Sequence, residues 1–162
     1  DWPKMLDKVL PYVDYFVPSA EELCFMADRP RYEEWLIRAA GGDVTSVISV
    51  EEDIRPLAKR VLDMGASSLL IKCGAPGMYF TDGKKEIFER SYKPERVLSG
   101  TGVGDTSIAA FLKARMEGRS TEESLHLAAA TGASCVEAYD ALGGLRSFEE
   151  LERRINEGWE KL

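Results

Sequence analysis

Apolar residues recur along the chain at two spacings, one typical of helices and one typical of strands. Helical spacing, together with start and stop residues, predicts seven helices: residues 3–10, 19–27, 31–40, 51–64, 105–117, 121–137 and 147–159. Short runs rich in β-branched and aromatic residues predict strands at 13–17, 68–73, 78–81 and 86–92, and a shorter one ending at Val97-Leu98. Strands and helices therefore alternate before the chain closes on three consecutive helices.

Start and stop signals support several of these elements. Ser-x-x-Glu capping boxes open the helices at Ser19 and Ser147. Gly41-Gly42 ends the predicted helix 31–40. Asp82-Gly83 is a hairpin signal between two predicted strands. The order predicts an α/β layered fold in which helices flank a mixed, mostly parallel sheet with a β-hairpin. We expect residues 1–162 to form a single domain.

Composition narrows the class of protein and its partners. The 162 residues carry a net charge of −7, so a nucleic-acid partner is not expected. The three cysteines form no C-x-x-C motif, and His126 is the only histidine, so neither a zinc site nor a disulfide framework is indicated. No apolar run is long enough to predict a membrane helix. We expect a cytoplasmic protein in a reducing compartment.

The loop Ser99-Gly-Thr-Gly-Val-Gly-Asp105, between a strand end and a helix start, carries the candidate chemistry. Glycines let backbone N–H groups converge, and the helix N-terminus adds its positive dipole end, which together suit phosphate oxygens. An aspartate in the first turn is ordinarily a dipole-compensating residue. Beside a bound phosphate, the carboxylate of Asp105 could also accept a proton from an attacking hydroxyl group.

Two other phosphate-binding motifs are excluded by the spacing. No Gly-Lys-Ser/Thr follows the glycines, so the loop is not a Walker A motif. A dinucleotide-binding oxidoreductase would need an acidic residue ending a second strand about 20 residues later. The residues after Asp105 instead run into two predicted helices, which argues against a dinucleotide-binding oxidoreductase.

The segment from Gly100 to Leu112 resembles the C-terminal signature of the ribokinase-like (PfkB) carbohydrate and nucleoside kinases, Asp-Thr-x-Gly-Ala-Gly-Asp-x-Phe-x-x-Gly-Phe. The resemblance implies that Asp105 is the catalytic base and that Gly102, Val103 and Gly104 form the anion hole for the transferred phosphate. It implies a partial ribokinase-like three-layer sandwich, with ATP and Mg²⁺ as cofactors. The substrate would be a small-molecule sugar or nucleoside.

Two earlier segments are similar to further family motifs. The family's Asn-x-x-Glu motif corresponds to Ser19 and Glu22, so the resemblance implies that Glu22 helps to arrange magnesium through water, with a weaker role for Ser19. The family's nucleotide-side strand and Gly-x-x-Gly turn correspond to Lys72, Gly74 and Gly77. The same glycines are equally compatible with an ordinary hairpin turn.

The chain also departs from the family pattern. Ser99 replaces an aspartate that contributes to a monovalent-cation site in many members, which argues against potassium activation here. Family members are roughly twice as long, and the missing half supplies sugar-binding residues and further strands. We therefore expect the C-terminal ATP-binding and catalytic half of a longer kinase, with little or no activity alone.

Two further expectations follow from the missing half. An open apolar sheet face would be covered by a homo-oligomer or by a partner chain. The alternative function is that of a catalytically incomplete nucleotide-binding fragment, or a structural remnant of such a kinase.

Overall fold

A computed structural model describes residues 1–162 and contains seven α-helices and three β-strands. The elements are α1 (Trp2–Val9), α2 (Ala20–Ala27), α3 (Arg29–Ala39), α4 (Arg55–Asp63), β1 (Leu69–Lys72), β2 (Gly77–Thr81), β3 (Glu86–Arg90), α5 (Val103–Met116), α6 (Thr121–Cys135) and α7 (Phe148–Asn156). Residue contacts divide the chain into two compact units, Asp1–Phe88 and Glu89–Leu162. The α/β composition expected from the sequence is confirmed.

The sheet differs from the expected parallel arrangement. Its order is β1-β2-β3, and β1 pairs antiparallel with β2 in the register Leu69↔Thr81 to Lys72↔Met78. Parallel pairing is confined to two isolated bridges, Phe16↔Leu69 and Ser19↔Lys72. The prediction of a mostly parallel sheet was therefore wrong for these strands. Consecutive strands joined by tight turns can pair only antiparallel, whereas a parallel pair needs a long crossover connection.

The core of the first unit lies between β1 and the helices that pack against it. Leu69 and Ile71 on β1, Leu23 on α2, Trp35 on α3 and Leu57 on α4 are fully or almost fully buried there. Each of these side chains contributes roughly 1.5–3 kcal/mol by leaving water. Helix and strand faces thus converge on one apolar interior.

The strands β1 and β2 leave no open apolar face. Every residue of β2 is buried, as are Leu69, Leu70 and Ile71. The exposed apolar side chains of this unit lie mainly on α1 and the turn after it, namely Trp2, Met5, Val9 and Tyr12.

Two predicted elements differ from the structure. The helix expected over 51–64 begins with a π-helical turn, Val50–Ile54, and α4 starts only at Arg55, where Pro56 occupies the first turn. The strand expected to end at Val97-Leu98 does not form. Instead, the Leu98 N–H donates to the carbonyl of Val136 (2.7 Å), which lies just after α6.

The second unit is built on α5 and α6. Buried residues on the facing sides include Phe111 of α5 and Leu125 of α6. A Cβ on Gly132 of α6 would lie 2.6 Å from the Ser107 hydroxyl of α5, so the glycine allows close approach. No helix in the chain combines the length and apolar character needed to cross a membrane.

Candidate functional site

The glycine-rich loop reaches α5 through a left-handed glycine. Gly102 has φ +78° and is the residue immediately before the helix. Its carbonyl accepts hydrogen bonds from the backbone N–H of Thr106 (2.9 Å) and from the Thr106 hydroxyl (2.9 Å), which fixes the first turn. The first-turn N–H groups of a helix have no acceptors within the helix, so Gly102 presents the amides of Gly104 and Asp105 at a positive dipole end. The Val103 N–H, at the same end, makes a long hydrogen bond to the carbonyl of Gly100 (3.4 Å).

The position of Gly102 also depends on the loop after α6. A Cβ at residue 102 would lie 2.5 Å from the Cβ and 2.8 Å from the Cα of Ala141. Such distances are below any normal carbon–carbon contact. Both the backbone conformation and the neighbour therefore require glycine here. Sequence reasoning missed the contribution of Ala141, because no sequence pattern links it to the loop.

Asp105 lies in the first turn of α5, and its side chain is exposed. It forms no ion pair with any cationic side chain of the chain. The residue borders a cleft of about 600 Å³ whose walls include Leu142, Phe148, Lys113 and Arg146. Lys113 pairs with Glu117 and Arg146 with Glu150, so the cations nearest the cleft are already partnered. The Asp105 carboxylate is thus available to a ligand.

The first unit holds the other predicted site residues. Ser19 and Glu22 form the predicted capping box: the Ser19 N–H donates to Glu22 Oε2 (2.7 Å), and the Glu22 N–H donates to Ser19 Oγ (3.1 Å). The hydrogen bond from the Ser19 backbone, aided by the charge of Lys72, lowers the pKa of Glu22 against the opposing effect of burial. Glu22 is therefore a carboxylate at neutral pH, with Oε1 unused by the cap.

Lys72 lies beside this cap because the chain before α2 pairs with β1. Ser19 forms a parallel bridge with Lys72, and the Lys72 N–H donates to the carbonyl of Pro18 (3.0 Å). The structure thus brings Lys72 next to Ser19 and Glu22, which lie about 50 residues earlier in the sequence.

The predicted Gly-x-x-Gly turn follows β1 directly. Gly74 has φ +71°, and its carbonyl accepts the Gly77 N–H (3.2 Å). A Cβ on Gly74 would lie 2.7 Å from the Thr45 hydroxyl, so Thr45 covers one side of the turn. Thr45 was not predicted as a neighbour of the site. Its hydroxyl is oriented by Asp43, which accepts at 2.8 Å.

The residues of this unit could contact magnesium through water but do not enclose a metal ion. No group of three or more His, Cys, Asp or Glu side chains is placed to enclose a metal ion. Magnesium in phosphate sites usually keeps several waters and takes only one or two carboxylates, with substrate phosphates as the remaining ligands. The free oxygen of Glu22 fits a water-mediated contact of this kind.

The fold is α/β, and its glycine-rich loop leads into a helix whose first turn carries an exposed carboxylate, Asp105. Comparison with known proteins identifies the family. The model of the pfkB family of carbohydrate kinases matches residues 1–146, and the chain belongs to this family.

Individual relatives agree with this assignment. The chain is 36% identical over 92 residues to a ribokinase of Arabidopsis thaliana, which covers 56% of this chain and 24% of the relative. It is 34% identical over 96 residues to an uncharacterized sugar kinase of Archaeoglobus fulgidus, covering 58% and 37% of the two chains. The structure of Arabidopsis ribokinase with ribose and ATP superposes with a TM-score of 0.74 at 25% identity, covering 91% of this chain and 42% of that one.

A more distant structure, ribokinase of Cryptococcus neoformans in complex with ADP, has a TM-score of 0.70 at 18% identity and supports the fold alone. It covers 94% of this chain and 48% of that chain. The chain therefore spans less than half the length of each of these relatives.

Proposed function

We propose that the chain is the nucleotide-binding and catalytic half of an enzyme that transfers a phosphoryl group from ATP to a hydroxyl of a sugar or related alcohol. The observation that best supports this proposal is the position of Asp105. Its exposed, unpaired carboxylate directly follows the amides presented by Gly102. A base for the hydroxyl and donors for the phosphate oxygens lie in one turn of helix. Family membership supports the same reaction class.

The proposed reaction divides the work between the two parts of this turn. Asp105 accepts the hydroxyl proton of the acceptor as its oxygen attacks the terminal phosphorus of ATP, and the bond to the ADP oxygen breaks. The amides of Val103, Gly104 and Asp105 donate to the transferring group, whose equatorial oxygens carry the charge of the transition state. Pre-set donors stabilise this charge without further reorganisation.

The residues of the first unit would act on the nucleotide. Lys72, Gly74 and Gly77 are proposed to contact the nucleotide, because they lie together at the end of β1 beside Glu22. Magnesium would neutralise phosphate charge, with Glu22 as an indirect ligand through water. Crystals of Arabidopsis ribokinase hold ribose and ATP, which supports this type of substrate pair. Because Ser99 is neutral, we propose that potassium does not activate the reaction.

The test is Asp105→Asn in the full-length protein. The amide cannot accept the proton, so kcat is expected to fall about 10²- to 10⁴-fold while ATP affinity remains within about threefold of the wild type. Asp63→Asn, at an exposed pair at the end of α4, is the matched control and should retain full activity. Unchanged turnover in the Asp105→Asn variant would exclude Asp105 as the base.

A second function is favoured by the length of the chain relative to its relatives. A chain that spans 42% of Arabidopsis ribokinase could hold nucleotide without completing the acceptor site. Calorimetric titration of the 162 residues with Mg-ATP separates the hypotheses. Binding without sugar phosphorylation supports a nucleotide-binding fragment, and no binding at millimolar nucleotide supports a structural remnant.

A further inference from the structure

The segment between β3 and the glycine-rich loop has no regular structure of its own. Residues 93–100 form neither helix nor strand, and most of their side chains are exposed or half-buried. Their backbone must therefore be held by other parts of the second unit if the loop that follows is to keep one conformation. Besides Glu160, whose carbonyl accepts the Lys93 N–H (2.7 Å), three groups outside the segment make contacts that hold it.

The first contact is made by Trp159, near the C-terminus. Its indole Nε1–H donates to the carbonyl of Lys93 (2.6 Å), and its ring lies 5.0 Å from that of Tyr92. The guanidinium of Arg154 lies over the indole ring, 3.6 Å from the ring centroid. This contact fixes the beginning of the segment.

The second and third contacts come from the two residues that follow α6. The carbonyl of Val136 accepts the N–H of Leu98 (2.7 Å) and, more weakly, that of Ser99 (3.4 Å). The side chain of Glu137 accepts the N–H of Glu95 through Oε1 (2.8 Å). Ser99 in turn accepts the Thr101 N–H through its hydroxyl (3.1 Å), which connects these contacts to the glycine-rich loop.

Glu137 is itself held by a charge-assisted fork. Arg154 donates from both terminal nitrogens, to Oε1 (3.2 Å) and to Oε2 (3.3 Å). The Glu137 and Arg154 side chains are only 13% and 20% exposed, so solvent screens the pair weakly. A bidentate pair leaves the carboxylate few alternative orientations, and Oε1 remains directed at the Glu95 N–H.

We propose that Glu137, oriented by Arg154, is a positioning residue that sets the conformation of the glycine-rich loop. It acts through the backbone of residues 95–99 and does not itself contact a ligand. The effect on catalysis rests on the proposed function, because only then do the amides of 102–105 bind the transferring phosphate. The effect on loop order does not depend on it.

The test compares amide hydrogen exchange in the wild type, Glu137→Ala and Glu137→Gln, all as the 162-residue chain. Glu137→Ala removes the acceptor of the Glu95 N–H, so exchange in residues 95–105 is expected to accelerate roughly tenfold. Residues 125–134 of α6 should keep their wild-type rates. Glu137→Gln retains a carbonyl acceptor but loses the charge pair, so it should restore most of the protection in residues 95–105.

Glu152→Ala is the matched control, because Glu152 lies on α7, as Arg154 does, and pairs with an arginine, Arg119, at 2.6 Å. It should leave exchange in residues 95–105 unchanged. Equal acceleration across α6 and the loop in Glu137→Ala, or no rescue by glutamine, would show a general structural role and overturn the proposal.

A kinetic measurement in the full-length protein separates this proposal from the proposed function. If both hold, Glu137→Ala lowers kcat about tenfold with little change in the KM for ATP, since a mobile loop weakens transition-state contacts most. If the wild type transfers no phosphate but Glu137→Ala still accelerates exchange in the loop, the positioning role holds and the kinase function is rejected. If the wild type is active and Glu137→Ala has the same kcat, the positioning role is rejected and the kinase function is not.

Discussion

At the scale of single residues, Gly102 carries the strictest requirement in the site. Its positive φ costs an L-residue roughly 1–2 kcal/mol, and a Cβ would in addition overlap Ala141. Gly118, which follows α5, has nearly the same φ of +82°, but a Cβ there would meet nothing within 4 Å. Replacing either glycine by alanine therefore has the same backbone cost, but only the replacement at residue 102 also causes a steric overlap.

We expect Gly102→Ala to lower the free energy of unfolding by about 2–4 kcal/mol, and Gly118→Ala by only about 1–2 kcal/mol. Urea unfolding of both variants measures the difference. Gly102→Ala should also displace the amides of the first turn of α5 and weaken Mg-ATP binding, whereas Gly118→Ala should not. Equal losses of stability in the two variants would contradict the proposed contact with Ala141.

Sequence reasoning identified the loop and Asp105 because glycine spacing and an acidic first turn are local signals. It also found the capping box of Ser19 and Glu22 for the same reason, and the structure confirms that geometry. The roles of Asp105 and Glu22 in chemistry stay predictions. Ala141, Thr45 and Glu137 could not be found, since each reaches its target across a large sequence separation that no short pattern encodes.

At the scale of elements, the π-helical turn before α4 is held by one buried carboxylate. Asp53 is 3% exposed and accepts hydrogen bonds from Trp35 Nε1 (2.9 Å) and the Ser49 N–H (2.8 Å). Arg38 and Arg31 lie 3.4 and 3.3 Å from its oxygens. Burial by itself would raise the pKa of Asp53, but the hydrogen bonds from Ser49 and Trp35 and the two arginine charges outweigh it and lower the pKa.

We expect Asp53→Asn to reduce the free energy of unfolding by about 2 kcal/mol at pH 7, because two arginines and the Ser49 N–H lose a charged acceptor. A lowered folded pKa means that this stabilisation is fully present above the unfolded value of about 3.9 and is lost as pH falls through the folded pKa. The difference from wild type should therefore shrink as the pH falls below the unfolded value.

Urea unfolding at pH 7 and at pH 3 measures this effect. Asp63→Asn, which breaks an exposed pair with Lys59, is the control and should cost no more than about 0.5 kcal/mol at either pH. A gap between Asp53→Asn and wild type that does not change with pH would show that lost packing, not lost charge, causes the destabilisation.

Element boundaries were predicted well where a local residue dictates them. Ser19 and Ser147 cap α2 and α7 as expected. The break before α4 was missed, because the side-chain contacts of Asp53 that accompany it are tertiary. Strand direction was missed for a related reason: the apolar pattern shows that a strand is buried but does not show which neighbour it pairs with.

At the scale of the whole molecule, the sequence predicts one domain while contacts divide the chain into units 1–88 and 89–162. One strand, β3, contains residues of both units, so complete unfolding of either unit would break that strand. We therefore expect the two units to unfold as one cooperative system, and the single domain stays a prediction. Average contact density alone would not decide this, because cooperativity depends on the elements that both units share.

Native-state hydrogen exchange in rising urea measures the cooperativity directly. Leu57, Ala58 and Val61 in α4 and Ala128–Cys135 in α6 are buried helix positions in separate units, and their amides serve as matched reporters. Their exchange free energies should converge on one value at high urea, within about 0.5 kcal/mol. Convergence on two values that differ by about 2 kcal/mol or more would show that one unit unfolds while the other stays folded. In that case the glycine-rich loop with Asp105 could be studied in residues 89–162 alone.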